Sequence, residues 1–235
     1  MNKILTAKNN WHEIDNSDKE VADWFNNFEL TQTHHILRQL NEERLYQPFF
    51  EGADGLTIVD IGANIGLFTL YVRDVAEKIV SVEPTPVTFK LLEKLTANET
   101  NVARTATALS DHDGTVDFYI SDNPTINSAV NEVGTKVTVQ ARKIKTILDE
   151  QGLDYVDFIK CDIEGGEVAA ITDATISEVA DRVGFWALEV HQTDGHTGRA
   201  WPGNLEENRQ NLAEVFKRNG YEVQSVEHDQ LLAWK

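Results

Sequence analysis

Leu56-Thr57-Ile58-Val59-Asp60-Ile61-Gly62-Ala63-Asn64-Ile65-Gly66 is the stretch on which the fold turns. Six mostly apolar residues run into a glycine-rich loop, and a helix is predicted from about Leu67 to Val75. A second apolar run, Lys78 to Val82, ends at Glu83-Pro84 and leads into a helix over about Thr88 to Asn98. The pattern is strand, loop, helix, strand, helix, the repeat of a parallel sheet.

Outward from that unit, the same alternation continues. A third strand is predicted around Ala103 to Leu109, followed by the turn-like Ser110-Asp111-His112-Asp113-Gly114. Thr115 to Ser121 and Lys136 to Arg142 alternate as an inserted strand pair, with Asp122 to Gly134 as the loop between them. A short helix over Ile144 to Gln151 stops at Gly152. Tyr155 to Ile163 and Phe185 to Val190 are near-continuous apolar runs, as strands covered on both faces require. A helix follows from about Leu205 to Asn219, with Asn204 as its cap and Gly220 as its stop. Tyr221 to Val226 and Leu231 to Trp234 read as a C-terminal antiparallel pair. One mostly parallel, doubly wound α/β sheet accounts for the whole of residues 53–235.

Residues 1–52 read as an N-terminal helical extension. Val21, Trp24, Phe25 and Phe28, then Ile36, Leu37, Leu40 and Tyr46, recur at helical spacing. His34 and His35 have no ligand cluster nearby and are taken as helix-surface residues.

The chain has 39 acidic and 21 basic residues, a formal net charge of -18. Such a field repels phosphate backbones and anionic lipid, which argues against nucleic acid or membrane as partner. No apolar run is long enough to span a bilayer. Met1 to Asn10 lack the apolar centre of a secretory signal, and Cys161 is the single cysteine, so a cytoplasmic setting is predicted. The apolar positions of the extension leave the oligomeric state open between monomer and homodimer.

In open sheets of this kind a ligand lies beyond the carboxyl ends of the strands, where the winding reverses. Gly62, Asn64 and Gly66 let backbone approach a ligand closely, and Asp60 can hold loop amides or a ligand ammonium. Glu83, 17 residues beyond Gly66, stands where an acid accepts the hydroxyls of a ribose. The dinucleotide spacing Gly-x-Gly-x-x-Gly is absent, which disfavours NAD.

Together with Glu83-Pro84-Thr85-Pro86, Phe89, residues Asp157 to Glu167 and Leu188-Glu189-Val190-His191, the glycine stretch resembles the FkbM family of methyltransferases. The resemblance covers about Leu56 to His191 and most of the tail. It implies a Rossmann-like class I methyltransferase fold: a mostly parallel seven-stranded sheet with helices on both faces. It further implies S-adenosylmethionine as methyl donor and a small-molecule hydroxyl, such as one on a sugar or secondary metabolite, as acceptor. By motif, Asp60, Gly62, Asn64 and Gly66 line the donor's methionine part, and Glu83 holds the ribose. Ala63, Pro84 and Asp162 are further donor-binding residues, and Ser110 and Asp111 neighbour the adenine.

Methyl transfer is mostly a matter of orientation, but a neutral hydroxyl needs a base within hydrogen-bond reach. His191, after the fifth strand, is the first candidate, with Asp162, Glu164 and Glu189 on neighbouring strand ends. A divalent metal on Asp162, Glu189 and His191 is the unfavoured alternative to a metal-free site. N-methylation, and a catalytically silent S-adenosylmethionine-binding scaffold, are the other readings carried forward. Lys160 is expected to pair with a nearby carboxylate and Cys161 to be a packed thiol; His196, Arg199 and Trp201 are read as loop residues within reach of an acceptor.

Overall fold

A computed structural model of the protein describes residues 3–27, 33–44, 46–121, 127–130, 132, 134–193, 204–226 and 229–235. The chain opens with β1 (Lys3–Leu5) and β2 (Trp11–Glu13), then α1 (Lys19–Asn26), α2 (Thr33–Arg38), a π-helical turn over Gln39–Glu43, and α3 (Gln47–Phe50). The repeating part is β3 (Leu56–Ile61), α4 (Leu67–Val72), β4 (Ala76–Val82), α5 (Pro86–Leu95) and β5 (Val102–Thr105). An insertion follows: β6 (Ala108–Leu109), β7 (Gly114–Ile120) and β8 (Thr135–Arg142). The rest is α6 (Ile144–Glu150), β9 (Val156–Cys161), α7 (Glu167–Ala170), α8 (Asp173–Ser177), β10 (Val183–Glu189), α9 (Leu205–Arg218), β11 (Glu222–Ser225) and β12 (Gln230–Trp234).

Among the described residues the main sheet has seven strands in the order β11-β12-β10-β9-β3-β4-β5. The five strands from β10 to β5 are parallel, and β12 runs antiparallel to both β10 and β11. From β3 the chain winds one way through β4 to β5, whereas from β9 it winds the other way to β10. The reversal therefore falls between β3 and β9, and their carboxyl ends form the crevice.

Each central strand divides its side chains between two cores, as a period of two demands. Val59, Ile61, Ile159 and Cys161 join the core under α6 and α9. Ile58 and Phe158 join the opposite core, with Phe68, Tyr71 and the N-terminal residues Ile4, Phe25, Leu40, Tyr46 and Phe50. The last helix carries Glu206 and Glu207 in its first turn and Lys217 and Arg218 in its last, matching its dipole. None of the described helices is long and apolar enough to cross a membrane.

Three expectations are corrected. The N-terminal segment is not purely helical: Lys3 to Leu5 pair with Trp11 to Glu13, and Trp11 is exposed. Three-residue strands are too short to show a period of two. Val21, Phe25, Leu37, Leu40 and Tyr46 are nonetheless buried as their spacing predicts, while Phe28 and the His34 side chain lie outside the described residues. The strand expected over 103–109 is two: β5 pairs with β4 in the main sheet, and β6 pairs with β8 in a small sheet of order β6-β8-β7. Finally, Asn204 occupies the cap position of α9 without capping it, because its side-chain oxygen accepts the Thr193 amide at 2.8 Å.

Candidate functional site

The loop after β3 is built from left-handed backbone, with φ of 78° at Gly62, 50° at Asn64 and 94° at Gly66. Gly62 is where glycine is obligatory. A Cβ there would lie 1.7 Å from the carbonyl oxygen of Asp162, in the loop after β9. The two loops at the reversal point thus touch backbone to backbone, and the Asp162 amide donates to Ile61 O at 3.0 Å. Gly66 serves a different neighbour, since its Cβ would meet Leu92 and Thr96 of the α5 region.

Glu83 ties this loop to the next strand. One oxygen accepts the Asn64 amide at 2.9 Å, and the other accepts the Thr85 amide and the Thr88 hydroxyl at 2.8 and 2.9 Å. Burial still pushes its pKa above the usual carboxylate value. Ala63 is buried and Pro84 half-buried beside it. Asp60, which could have held loop amides, instead accepts the Thr69 hydroxyl at 2.7 Å. Its second oxygen is buried without a hydrogen-bond partner, 4.0 Å from the Lys160 ammonium on the adjacent strand. Ser110 and Asp111 follow β6, in the insertion, where both approach the His112 ring.

Around the end of β9 and β10 a second set of groups converges. His191 Nε2 stands 3.6 Å from Glu164 Oε2, 3.8 Å from Glu189 Oε1 and 3.9 Å from Asp162 Oδ1. The other Asp162 oxygen accepts from Lys160 at 3.1 Å. Glu164 is placed by a left-handed backbone, φ 54°, a conformation that costs a non-glycine residue on the order of 1 kcal/mol. Asp162, Glu164 and His191 each offer a donor atom within 4.8 Å of the others. The converging trio therefore contains Glu164 where the sequence pointed to Glu189.

The charges of this cluster bear on the base expected from the sequence. Burial opposes a positive His191, but Glu167, Glu164 and Asp162 outweigh it and raise its pKa well above the usual imidazole value. Burial foremost pushes Glu164 up to about 8, and the Asp162 carboxylate foremost does the same to Glu189. A carboxyl raised in the folded state contributes stability below its ordinary pKa and loses it as pH climbs through about 8. Glu189→Gln is accordingly expected to leave stability near pH 5 unchanged and to raise it near pH 9 by about 1 kcal/mol. That figure is kept small because the side chain retains 28% exposure. Urea unfolding at the two pH values measures the difference, and an equal change at both would mean Glu189 holds no displaced proton.

Two residues of the site went unassigned in the sequence reading. Glu167 is fully buried and approaches His191 Nδ1 at 3.2 Å. Its sequence signals are an acid at the start of a helix after Gly165-Gly166 and its place at the end of the Asp157 to Glu167 motif, neither of which points to His191. Tyr46, from the N-terminal segment, lies edge-on to Phe68 at 4.9 Å, and the Lys160 ammonium lies 5.9 Å from the same ring. Nothing in the sequence around Tyr46 signals that approach. Cys161 is fully buried, with its thiol pKa pushed up by burial, as a packed and unreactive group. His196, Arg199 and Trp201 lie outside the described residues.

The Methyltransferase FkbM domain family matches residues 60–223. The AMB antimetabolite synthetase AmbE of Pseudomonas aeruginosa is 25% identical over 97% of this chain and 12% of its own length. Methyltransferase sdnD of Sordaria araneosa is 30% identical over 48% of this chain and 58% of its own. The chain thus spans less than two thirds of either relative. A SAM dependent methyltransferase from Aquifex aeolicus matches 88% of this chain and 90% of its own at 13% identity and TM-score 0.44, too distant to bear on function.

Proposed function

Because the chain belongs to the FkbM methyltransferase domain family, we propose that it binds S-adenosylmethionine at the crevice between β3 and β9 and methylates a hydroxyl of a small molecule. The observation that carries this reading is the convergence of the Glu83-tied glycine loop and the His191 cluster on the same reversal point.

The residues present fit the donor. The second Asp60 oxygen is a buried acceptor with no hydrogen-bond partner, 4.0 Å from the Lys160 ammonium, and Glu83 holds three donors where a carboxylate can accept about four. Gly62 lets the loop after β9 close against the loop after β3, because the Asp162 carbonyl takes up the space a Cβ would fill. When bound, S-adenosylmethionine supplies a methyl carbon made electrophilic by its sulfonium. Asp162, Glu164 and Glu189 line the acceptor side, where the Asp162 carboxylate accepts the hydroxyl hydrogen and so turns a lone pair of that oxygen toward the methyl carbon. His191 takes such a proton only after losing its own, so its basic form belongs to alkaline pH or to a crevice already holding a cation.

That held proton favours one second reading, transfer to nitrogen, because a neutral amine needs no strong base. Calorimetry with S-adenosylmethionine tests the donor half. Glu83→Ala removes the loop's tie to β4 and is expected to weaken binding about tenfold to a hundredfold. Equal affinity in the two proteins would remove Glu83 from the site. Release of S-adenosylhomocysteine with a panel of polyols, phenols and amino alcohols tests transfer, and the position of the label on an amino alcohol separates oxygen from nitrogen. Absence of donor binding in the wild type would end both readings.

A further inference from the structure

His191 is held from two directions. Its carbonyl oxygen accepts from the Asn208 side chain at 2.8 Å, and Asn208 is itself buried on α9. Its ring is held by Glu167. That side chain is 0% exposed and stands across the loop after β9: one oxygen accepts the Ile163 amide at 2.8 Å and the other the Gly165 amide at 3.0 Å. The oxygen that takes the Ile163 amide also lies 3.2 Å from His191 Nδ1. Both oxygens already accept backbone protons, so toward the ring the group acts as an acceptor and Nδ1 carries the hydrogen.

We propose that Glu167 is the positioning residue of the site, fixing His191 as the Nδ1–H tautomer so that Nε2 is the nitrogen that meets the acceptor. The inference rests on His191 standing at the acceptor side of the crevice. Among the described residues, the other ionisable groups that approach the ring, Glu164, Glu189 and Asp162, lie on the Nε2 side at 3.6 to 3.9 Å, and Lys160 stands behind Asp162. None of them is close enough to claim the ring proton as Glu167 does. The same carboxylate joins the loop after β9 to the loop after β10, so the ring's orientation and the loop's shape are set together.

Long-range proton–nitrogen spectra of protein labelled in the imidazole ring test this directly, with the His191 signal assigned by its loss in His191→Gln. As the pH rises through the ring's titration, Nε2 is expected to lose its proton while Nδ1 keeps its own. In Glu167→Gln, where a carboxamide replaces the acceptor-only group, the neutral ring is expected to become a mixture of the two tautomers. Should that variant fail to fold, the wild-type spectrum decides alone: a neutral ring protonated on Nε2 overturns the proposal. A wild-type protein with the Nδ1–H ring and no methyl transfer would refute the proposed function while supporting this role. Full transfer with the opposite tautomer would do the reverse.

Discussion

Gly62→Ala is expected to lower stability by about 3 kcal/mol or more and to abolish binding of S-adenosylmethionine. Two effects add. A left-handed φ of 78° costs a side chain about 1–2 kcal/mol, and the new Cβ would sit inside the Asp162 carbonyl, at 1.7 Å from its oxygen. A backbone carbonyl cannot rotate away like a flexible side chain, so β3 and β9 must separate at the point where their loops form the crevice. Gly52→Ala is the control, because Gly52 has φ 74° and open space around its missing Cβ. It should show only the conformational part. Urea unfolding and calorimetry on both variants give the answer, and equal losses would mean that the two loops do not touch.

Lys160→Met is expected to destabilise the protein by about 3–5 kcal/mol at neutral pH. Lys160 is only 8% exposed and faces Asp60 at 4.0 Å and Asp162 at 3.1 Å. Methionine keeps most of the apolar stem but leaves the buried Asp60 carboxylate without its cation and Asp162 with His191 alone. The sign of the pH dependence follows from Asp162. Burial pushes its pKa up, yet Lys160 and His191 outweigh burial and hold it below the ordinary value. A depressed carboxyl contributes stability above its unfolded pKa and loses it as pH falls through the folded one. The gap between variant and wild type should therefore shrink on acidification, as the stranded carboxylates take up protons. A gap independent of pH would show that packing, and not charge, is what Lys160 contributes.

That Gly62 closes a strand-to-helix loop is legible in a run of apolar residues ending at Gly62-Ala63-Asn64. That its missing side chain is filled by Asp162, a hundred positions away, is not, because sequence periodicity reports only a residue's own element. Likewise the alternation along Tyr155 to Ile163 sends Lys160 and Cys161 to opposite faces. It gives no account of Asp60 beside Lys160, which follows from the register of β3 against β9.

By itself the sequence determined the parallel α/β sheet, the loops that follow its strands and the family, because strand and helix periods, glycine turns and local motifs are properties of contiguous chain. The charge on His191, the tie from Glu167, the approach of Tyr46 and the division of 103–109 between two sheets were decided only in the folded molecule. Each depends on groups that meet across separate strands. Burial and neighbouring charge, which set protonation and hydrogen-bond partners, exist only once those strands are packed.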